Sequence, residues 1–313
     1  MRYCIGIDLG GTNIAGGIAD LDGKLLLTDS IKTGLPCPAS DIADRIALLC
    51  RRMAIALGLA LSDAAWVGIG APGSVDVDTG TVLYANNLEF DNVPLGQMIH
   101  ERTGLPVYVD NDANVAAWGE YCAGAGKGSS SMVMVTLGTG VGGGVIVNGR
   151  ITEGAHGAGG EIGHITVNPH ETAVCGCGKH GCLEQYSSAT GVVRCMKKLL
   201  DENPDTPCTL RGTDFAAKDV FDAARAGDAL AAREVDEMTD TLGMALASIA
   251  STTDPEMFMV GGGVARAGDV LFNPLREHFK TYAFSSCRET PIVAATLGND
   301  AGIYGAVRLI VGE

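Results

Sequence analysis

The feature that most constrains the fold is a plan of strands and turns that occurs twice. Residues 3–27 read as strand, glycine turn, strand, Asp22-Gly23 turn and strand, and residues 132–151 repeat this order with Asn148-Gly149 as the second turn. Asp-Gly and Asn-Gly between apolar runs are strong hairpin signals. An internal duplication explains the shared order better than chance similarity of glycine-rich strands does, so we expect two related halves.

A second echo and several helical segments complete this plan. Residues 66–73 and 257–263 are each an apolar strand that runs into glycines. Apolar residues at helical spacing predict a helix that begins after Ser40 as N-cap and ends at Gly58. Strands mixed with helices in two halves predict two α/β domains hinged about a cleft. Further helices are predicted at 113–122, 235–249 and 301–310.

Composition limits the classes of partner. The 313 residues, 46% of them hydrophobic, suffice for two cores. The net charge of −15 argues against nucleic acid and against an anionic membrane surface. No signal peptide and no unbroken apolar span are visible, and the ten cysteines are expected to be reduced thiols, so a cytoplasmic protein is expected. An anionic ligand would need local N–H groups, helix N-termini or a metal.

The first glycine turn has the residues of a phosphate site. Gly10 and Gly11 would let the backbone approach a phosphate, and Thr12 can donate a hydrogen bond before the turn ends at Asn13. Asp8 can hold Mg²⁺ directly or through water. An ordinary tight hairpin is the alternative interpretation.

Two other glycine clusters are less specific. Gly138-Thr139-Gly140 and Gly143 match a dinucleotide fingerprint, but the segment runs into the strand 145–147 instead of opening a helix. The sequence also has neither the segments of a protein kinase nor a P-loop motif, so a second phosphate-facing hairpin remains. Gly261-Gly262-Gly263 follows a strand and could admit adenine or ribose, although a structural turn is equally consistent with it.

Carboxylates follow in three places. Residues 110–114, Asp-Asn-Asp-Ala-Asn, stand where a strand ends and a helix begins. Phosphoryl transfer needs a base that orients a hydroxyl and takes its proton, whereas an N-cap also favours Asn and Asp; both interpretations stay open here. Glu161 and Glu184 lie near His164 in the sequence and could bind the adjacent hydroxyls of a polyol.

Three cysteines within eight residues indicate a metal site. Cys175, Cys177 and Cys182 form C-x-C-x₄-C, which in a reducing compartment favours Zn²⁺ over disulfides. His164 and His180 are the candidates for the fourth ligand. A closed site of this kind is structural.

These segments together resemble the ROK family of bacterial sugar kinases, within the actin-like ATPase superfamily. The resemblance runs from Ile5 to about Ala306, and residues 154–164 and 175–184 are its most specific segments. It implies two actin-like (ribonuclease H-like) α/β domains around a central cleft. The N-terminal domain would comprise 1–113, completed by a C-terminal helix at about 301–313, and the C-terminal domain 114–300 with the zinc loop.

The resemblance also implies roles for individual residues. Asp112 would be the catalytic base, and His164 rather than His180 would complete the zinc site with the three cysteines. The implied sugar ligands are Gly73, Asn87, Asn111, Asp112, Glu161, His164 and Glu184. The implied ATP and Mg²⁺ ligands are Asp8, Gly10, Gly11, Thr12, Asn13, Gly138, Thr139, Gly140, Gly261, Gly262 and Gly263.

The activity that the resemblance implies is ATP-dependent phosphorylation of a free hexose. Residues 184–191 resemble the glucokinase subgroup, which makes glucose the first candidate and glycolysis the expected context. An N-acetylmannosamine, mannose, allose or fructose kinase is the alternative, and a sugar-sensing regulator is disfavoured because the first strand begins at Tyr3. The expected cofactors are ATP, Mg²⁺ and structural Zn²⁺, and a homodimer or homotetramer is expected.

Overall fold

The computed structural model describes residues 2–309, and it confirms a mixed α/β fold. The chain divides into two compact units. The first contains the described residues of Met1–Gly128, Gly144–Gly160 and Thr296–Glu313, and the second contains Ser129–Gly143 and Glu161–Ala295.

The strands repeat one topology. Two five-stranded sheets have the orders β3-β2-β1-β4-β8 and β11-β10-β9-β12-β13, and β5-β6-β7 form a small third sheet. In the large sheets β4 runs parallel to β1 as β12 does to β9, and β8 and β13 follow in parallel. This correspondence supports the predicted duplication. The strands are β1 (Tyr3–Leu9), β2 (Asn13–Asp20), β3 (Leu25–Lys32), β4 (Ala64–Ala71), β5 (Ser74–Asp76), β6 (Thr81–Ala85), β7 (Phe90–Val93), β8 (Val107–Asn111), β9 (Met132–Leu137), β10 (Val141–Val147), β11 (Arg150–Ile151), β12 (Met257–Gly261) and β13 (Ile292–Ala294).

Each of the four helices predicted from the sequence has a counterpart in the structure, as α1, α3, α7 and α9, with corrections at their ends. The helix predicted at 235–249 is longer in the structure and spans 25 residues. None of the helices within the described residues is both long and apolar enough to cross a membrane. The helices are α1 (Ala39–Ala56), α2 (Leu95–Thr103), α3 (Asp112–Ala123), α4 (Glu184–Ser187), α5 (Ala189–Glu202), α6 (Ala217–Arg225), α7 (Ala229–Thr253), α8 (Asp269–Tyr282) and α9 (Ala301–Ala306).

Two predicted helix ends are wrong. Ser40 is not the N-cap of α1, because Pro38 occupies that position with an extended backbone and Ser40 already lies in the first turn. Proline favours such a helix start since its fixed φ suits the position and it has no N–H to satisfy. The helix predicted at 301–310 ends at Ala306 and continues as a turn to Leu309; residue 310 lies outside the described residues.

The core of the first unit is built from the apolar face of α1 and the inner strands. Ile42, Ile46, Leu49 and Met53 recur at helical spacing, and all four are completely buried. They join one cluster with the apolar residues of β1 and β4. Each such side chain, once buried, stabilises the fold by about 1.5–3 kcal/mol before entropy is counted. This core fixes the carboxyl ends of the central strands.

Small residues let α3 and α9 pack closely. A Cβ on Gly305 would lie 1.7 Å from the carbonyl oxygen of Val115, and a Cβ on Gly119 would lie 2.1 Å from that of Ala301. The division predicted from the sequence assigns 114–123 to the second domain, whereas this contact places α3 in the first unit. The first unit also contains 124–128, 144–160 and 296–300, which the predicted division assigns to the second domain.

Candidate active site

The first glycine turn is held by hydrogen bonds within the turn and from Thr33, which follows β3. Gly10 N–H donates to the carbonyl oxygen of Asn13 at 3.0 Å, which closes the turn between β1 and β2. The hydroxyl of Thr33, a fully buried residue, donates to the carbonyl oxygen of Gly10 at 2.6 Å. A Cβ added to Gly11 would meet only Asn87 Nδ2, at 3.9 Å. The backbone at Gly11 is therefore open to a ligand.

Asp8 stands near the end of β1, immediately before this turn. Burial, reinforced by the negative charge of Asp112, raises the pKa of Asp8 to about 6. A carboxylate that is costly to ionise gains most from a cation, so Asp8 fits the donor type that Mg²⁺ prefers.

The end of β8 presents Asp112 on a helix start. Asn111 is the N-cap of α3, and its side-chain oxygen accepts from Ala113 N–H at 2.9 Å and Asn114 N–H at 3.1 Å. Its Nδ2 donates to the carbonyl oxygen of Gly73 at 2.8 Å. The capping role therefore belongs to Asn111, and Asp112 is the half-buried first residue of α3, at the positive end of the helix dipole.

Gly73 lies beside Asn111, and Asn87 lies beside Gly11 of the first glycine turn. Gly73 has φ +92°, and a Cβ there would lie 2.0 Å from the carbonyl oxygen of Tyr84, so only glycine fits. Asn87 is exposed on the short 3₁₀ turn Asn86–Leu88. The first unit thus gathers, at the carboxyl ends of β1, β4 and β8, the predicted residues Asp8, Gly10, Gly11, Thr12, Asn13, Gly73, Asn87, Asn111 and Asp112.

The second glycine turn is held by the start of α5. Gly138 N–H donates to the carbonyl oxygen of Gly140 at 3.0 Å, and the carbonyl oxygen of Gly138 accepts from Ala189 N–H at 2.8 Å. The hydroxyl of Thr190 donates to the carbonyl oxygen of Thr139 at 2.7 Å. Sequence patterns contain no signal for these contacts, since the partners are about fifty residues apart.

The glycine triplet lies next to this turn. Gly261 pairs with Thr136 at the ends of β12 and β9. Gly262 has φ +85°, and a Cβ there would lie 2.4 Å from the carbonyl oxygen of Leu137. A Cβ on Gly263 would meet no atom within 4 Å. Gly262 is thus required by packing, and Gly263 is the open position.

Glu184 connects the second turn with the cysteine cluster. Its Oε2 lies 2.8 Å from the position that a Cβ on Gly140 would take. Its Oε1 lies 2.9 Å from Cys175 Sγ and 3.8 Å from His164 Nδ1. His164 Nε2 lies 3.8 Å from Glu161 Oε2, so both predicted carboxylates reach this histidine.

The cysteine cluster has the donors and the spacing of a zinc site. His164, Cys175, Cys177 and Cys182 each offer one ligand atom, and these four atoms lie within 4.8 Å of one another. Cys177 Sγ is 3.5 Å from Cys175 Sγ and 3.7 Å from Cys182 Sγ, and Cys175 Sγ is 3.8 Å from His164 Nδ1. A tetrahedron with Zn–S bonds of about 2.3 Å has edges of about 3.8 Å. The residues present therefore fit Zn²⁺, with His164 rather than His180 as the fourth donor.

A hydrogen-bonded network around Glu171 lies next to the cysteine cluster and holds α4 in place. Glu171 accepts from Ala173 N–H at 3.0 Å, from the Tyr186 hydroxyl at 2.7 Å and from Arg194 at 3.1 Å. The backbone donor, then the hydroxyl and the cation, lower the pKa of Glu171 to about 2. Arg194 also donates to the carbonyl oxygen of Gln185 at 2.9 Å. The network fixes α4, and with it Glu184, against the segment that leads to Cys175.

Comparisons with known proteins agree with this architecture. The repeated sheet topology with a glycine turn in each repeat is that of sugar kinases with the actin-like ATPase fold. The ROK family model matches residues 4–313, and the chain belongs to the ROK family. The resemblance inferred from the sequence is thereby confirmed.

Individual relatives are similar over almost the whole chain. A glucokinase from Halalkalibacterium halodurans is 41% identical over 99% of this chain and 95% of its own length. The ROK family glucokinase from Streptomyces griseus, solved in complex with glucose and AMPPNP, is 38% identical with a TM-score of 0.79 and covers 98% of both chains. The ROK hexokinase from Thermus thermophilus is 32% identical with a TM-score of 0.84, over 97% of this chain and 96% of that one.

Proposed function

We propose that this protein is a hexose kinase that transfers the γ-phosphoryl group of ATP to a hydroxyl of glucose, giving glucose 6-phosphate. The observation that carries the proposal is the gathering of Asp8, the turn at Gly10 and Gly11, and Asp112 at one sheet edge. A cation-binding carboxylate, a glycine backbone that a phosphate can approach and a second carboxylate are the parts that phosphoryl transfer needs. The similarity to glucokinases supports glucose as the acceptor.

Asp112 is the base in this proposal. It accepts a hydrogen bond from the sugar hydroxyl and takes its proton as the oxygen bonds to the γ-phosphorus and the bond to ADP breaks. Asp8 would hold Mg²⁺, which neutralises the charge of the phosphates. The glycine turns would donate backbone N–H groups to phosphate oxygens. With the open Gly263, the triplet at 261–263 would admit the nucleoside.

The sugar would be bound by groups that accept from adjacent hydroxyls. Glu161 and Glu184 already lie beside the imidazole of His164. Asn111, which precedes Asp112, contacts Gly73, and Asn87 lies beside Gly11. Amides and carboxylates of this kind can form hydrogen bonds with the adjacent hydroxyl groups of a sugar. Zn²⁺, held by His164 and the three cysteines, would fix the ring of His164 and the loop that precedes Glu184.

The setting of the enzyme is proposed on the same grounds. All ten cysteines are free thiols, which suits the reducing cytoplasm and glycolysis as its context. Family resemblance suggests a homodimer or homotetramer, and light scattering coupled to gel filtration measures this directly. A mass of one chain would overturn that part alone.

A coupled assay of ADP release across free sugars tests the function. With ATP and Mg²⁺ we expect kcat/KM for glucose to exceed that for mannose, allose, fructose and N-acetylmannosamine by about tenfold or more. A higher kcat/KM for another sugar would show that this sugar, rather than glucose, is the preferred substrate, and the assignment as a sugar kinase would stand. Release of ADP that no sugar accelerates would remove the kinase proposal itself.

Asp112→Asn tests the base. We expect kcat to fall about 100-fold or more while the Kd for glucose, measured by calorimetry, changes less than about threefold. Asp91→Asn, an exposed change of the same chemistry in β7, is the matched control and should keep wild-type kcat. A fully active Asp112→Asn protein would exclude this residue as the base.

A further inference from the structure

A separate cavity lies in the second unit, between α5 and α7. Its volume is about 320 Å³, which is the lower end of the range for small-molecule sites. Leu199 and Met238 supply apolar wall, and Tyr186 and Cys195 border the same space. None of the residues assigned to sugar, nucleotide or zinc lines it.

The unusual group in this cavity is Glu234. The residue is only 2% exposed, and its side chain lines the cavity. Its carboxylate has no hydrogen bond or ion pair with any residue that the structure describes. A buried carboxylate without a partner is strongly disfavoured in its ionised form, so an occupant that supplies positive charge would relieve a substantial cost.

The other charges around the cavity already have partners. Arg233 donates to Glu237 at 2.7 Å, and Lys198 lies 3.8 Å from Glu202. Asp240 accepts from the Tyr282 hydroxyl at 2.8 Å. The two cations that line the cavity, Arg233 and Lys198, are therefore paired with carboxylates at its rim. Neither of them pairs with Glu234.

The cation of the neighbouring network is also unavailable to Glu234. Arg194 attracts the Glu234 carboxylate only at a distance, because its guanidinium is held by Glu171 and by the carbonyl oxygen of Gln185 and lies over the ring of Tyr186. Moving it would break the support of α4. A counter-charge that stabilises the ionised form of Glu234 would therefore come from a ligand.

We propose that this cavity binds a small aliphatic amine, with its ammonium group against the Glu234 carboxylate and its hydrocarbon stem against Leu199 and Met238. A metal ion fits less well, since within residues 2–309 the group of three or more metal-donor side chains is the zinc cluster and Glu234 would be a single ligand. An ammonium needs one carboxylate, and the apolar wall suits a short stem. The four acidic residues of the lining favour a cation over an anion.

The protonation of Glu234 provides a signature of binding. Burial first, and then the charge of Glu237, raise the pKa of Glu234 to about 8, while Arg194 opposes the shift. From α5, Cys195 faces the same carboxylate, and burial raises the pKa of its thiol to about 11, so it stays neutral. At pH 7 Glu234 is mostly protonated without a ligand. An ammonium that pairs with the carboxylate must therefore displace close to one proton.

Calorimetry with the full-length protein tests the proposal, with 1,4-diaminobutane and 1-aminobutane as probes and butan-1-ol as the uncharged control. We expect Kd values of about 1 mM or tighter for the amines and at least tenfold weaker binding of the alcohol. Glu234→Gln should weaken amine binding tenfold or more, whereas the rim control Glu237→Gln should change it less than threefold.

A measurement on the wild-type protein tests the site independently of the variants. Wild-type titrations at pH 7 in buffers of different ionisation enthalpy should give about one proton released per amine bound. Saturable binding without proton release, binding that Glu234→Gln leaves unchanged, or no binding below 10 mM amine would each overturn the site. If Glu234→Gln does not fold, the proton count on the wild type decides. None of these readouts involves sugar phosphorylation, so the proposed function can fail independently.

Discussion

At the scale of single residues, the half-buried Asp8 and the buried Glu120 show how neighbours decide what a carboxylate can do. Asp8 lies next to another acid, and the pKa of Asp8 rises to about 6. Glu120 is completely buried, yet it accepts from Thr296 N–H at 2.7 Å, Leu297 N–H at 2.6 Å and Ala125 N–H at 3.1 Å. A bound cation would therefore stabilise the charge of Asp8, whereas backbone N–H groups already donate to Glu120.

The raised pKa of Asp8 predicts a pH dependence of nucleotide binding. A carboxyl group with a pKa of about 6 is half ionised at pH 6 and about one-tenth ionised at pH 5, so the affinity for Mg²⁺·ADP should weaken about fivefold between these two pH values. The phosphate groups of the nucleotide titrate in the same range, so Asp8→Asn is the control. This variant should bind the nucleotide weakly, and the pH dependence of its Kd should reflect only the titration of the nucleotide. Parallel curves of log Kd for both proteins would contradict a role for Asp8.

Glu120 predicts a loss of stability from a change of one atom. In Glu120→Gln an NH₂ group must face N–H donors of Thr296, Leu297 or Ala125, which leaves buried groups unsatisfied. We expect the free energy of unfolding to fall by about 2–4 kcal/mol in urea titrations. Glu101→Gln, at an exposed position of α2, is the matched control and should change it by less than about 0.5 kcal/mol. Equal stability of both variants would show that the donors find other acceptors.

At the scale of elements, the sequence predicts best what local patterns determine. Strand–turn–strand units follow from apolar runs separated by Asp22-Gly23 and Asn148-Gly149, and the structure confirms them. The cysteine spacing likewise predicts the zinc cluster because all three thiols lie in one loop. Thr33 and Thr190, which hold the two glycine turns, leave no such signal, since their contacts arise only when distant segments pack. The error at Ser40 has a local cause, because Pro38 competes for the same helix start.

The zinc cluster predicts a coupled loss of metal and sugar binding. Cys177→Ser removes one thiolate donor, so zinc content measured by mass spectrometry should fall well below one ion per chain. Because Glu184 and His164 are held at the same cluster, KM for glucose should rise about tenfold with a smaller change in kcat. Cys208→Ser, outside the cluster, is the control and should retain both. A zinc-free Cys177→Ser enzyme with the wild-type KM would separate the metal from the sugar site.

At the scale of the whole molecule, the duplication was predictable and the assignment of α3 was not. Repeated turns and strands are visible in the sequence, and the two large sheets have matching orders. The place of α3 depends on Gly119 and Gly305, whose missing side chains allow close packing with α9. Small residues at one helix face have many uses, so the sequence alone does not indicate which partner they meet. Glu234 is similar, since a Glu on a helix usually faces water.

Net charge is the property of the whole chain that bears on function. With −15 at pH 7, the protein repels an anionic nucleotide and is indifferent to a neutral hexose. Salt screens this repulsion over about 10 Å at 0.1 M. We therefore expect kcat/KM for Mg²⁺·ATP to rise about two- to threefold between 20 and 150 mM KCl, while kcat/KM for glucose stays constant. Initial rates at fixed free Mg²⁺ measure both. A fall for the nucleotide would mean that local N–H groups and the metal, rather than the overall field, dominate its approach.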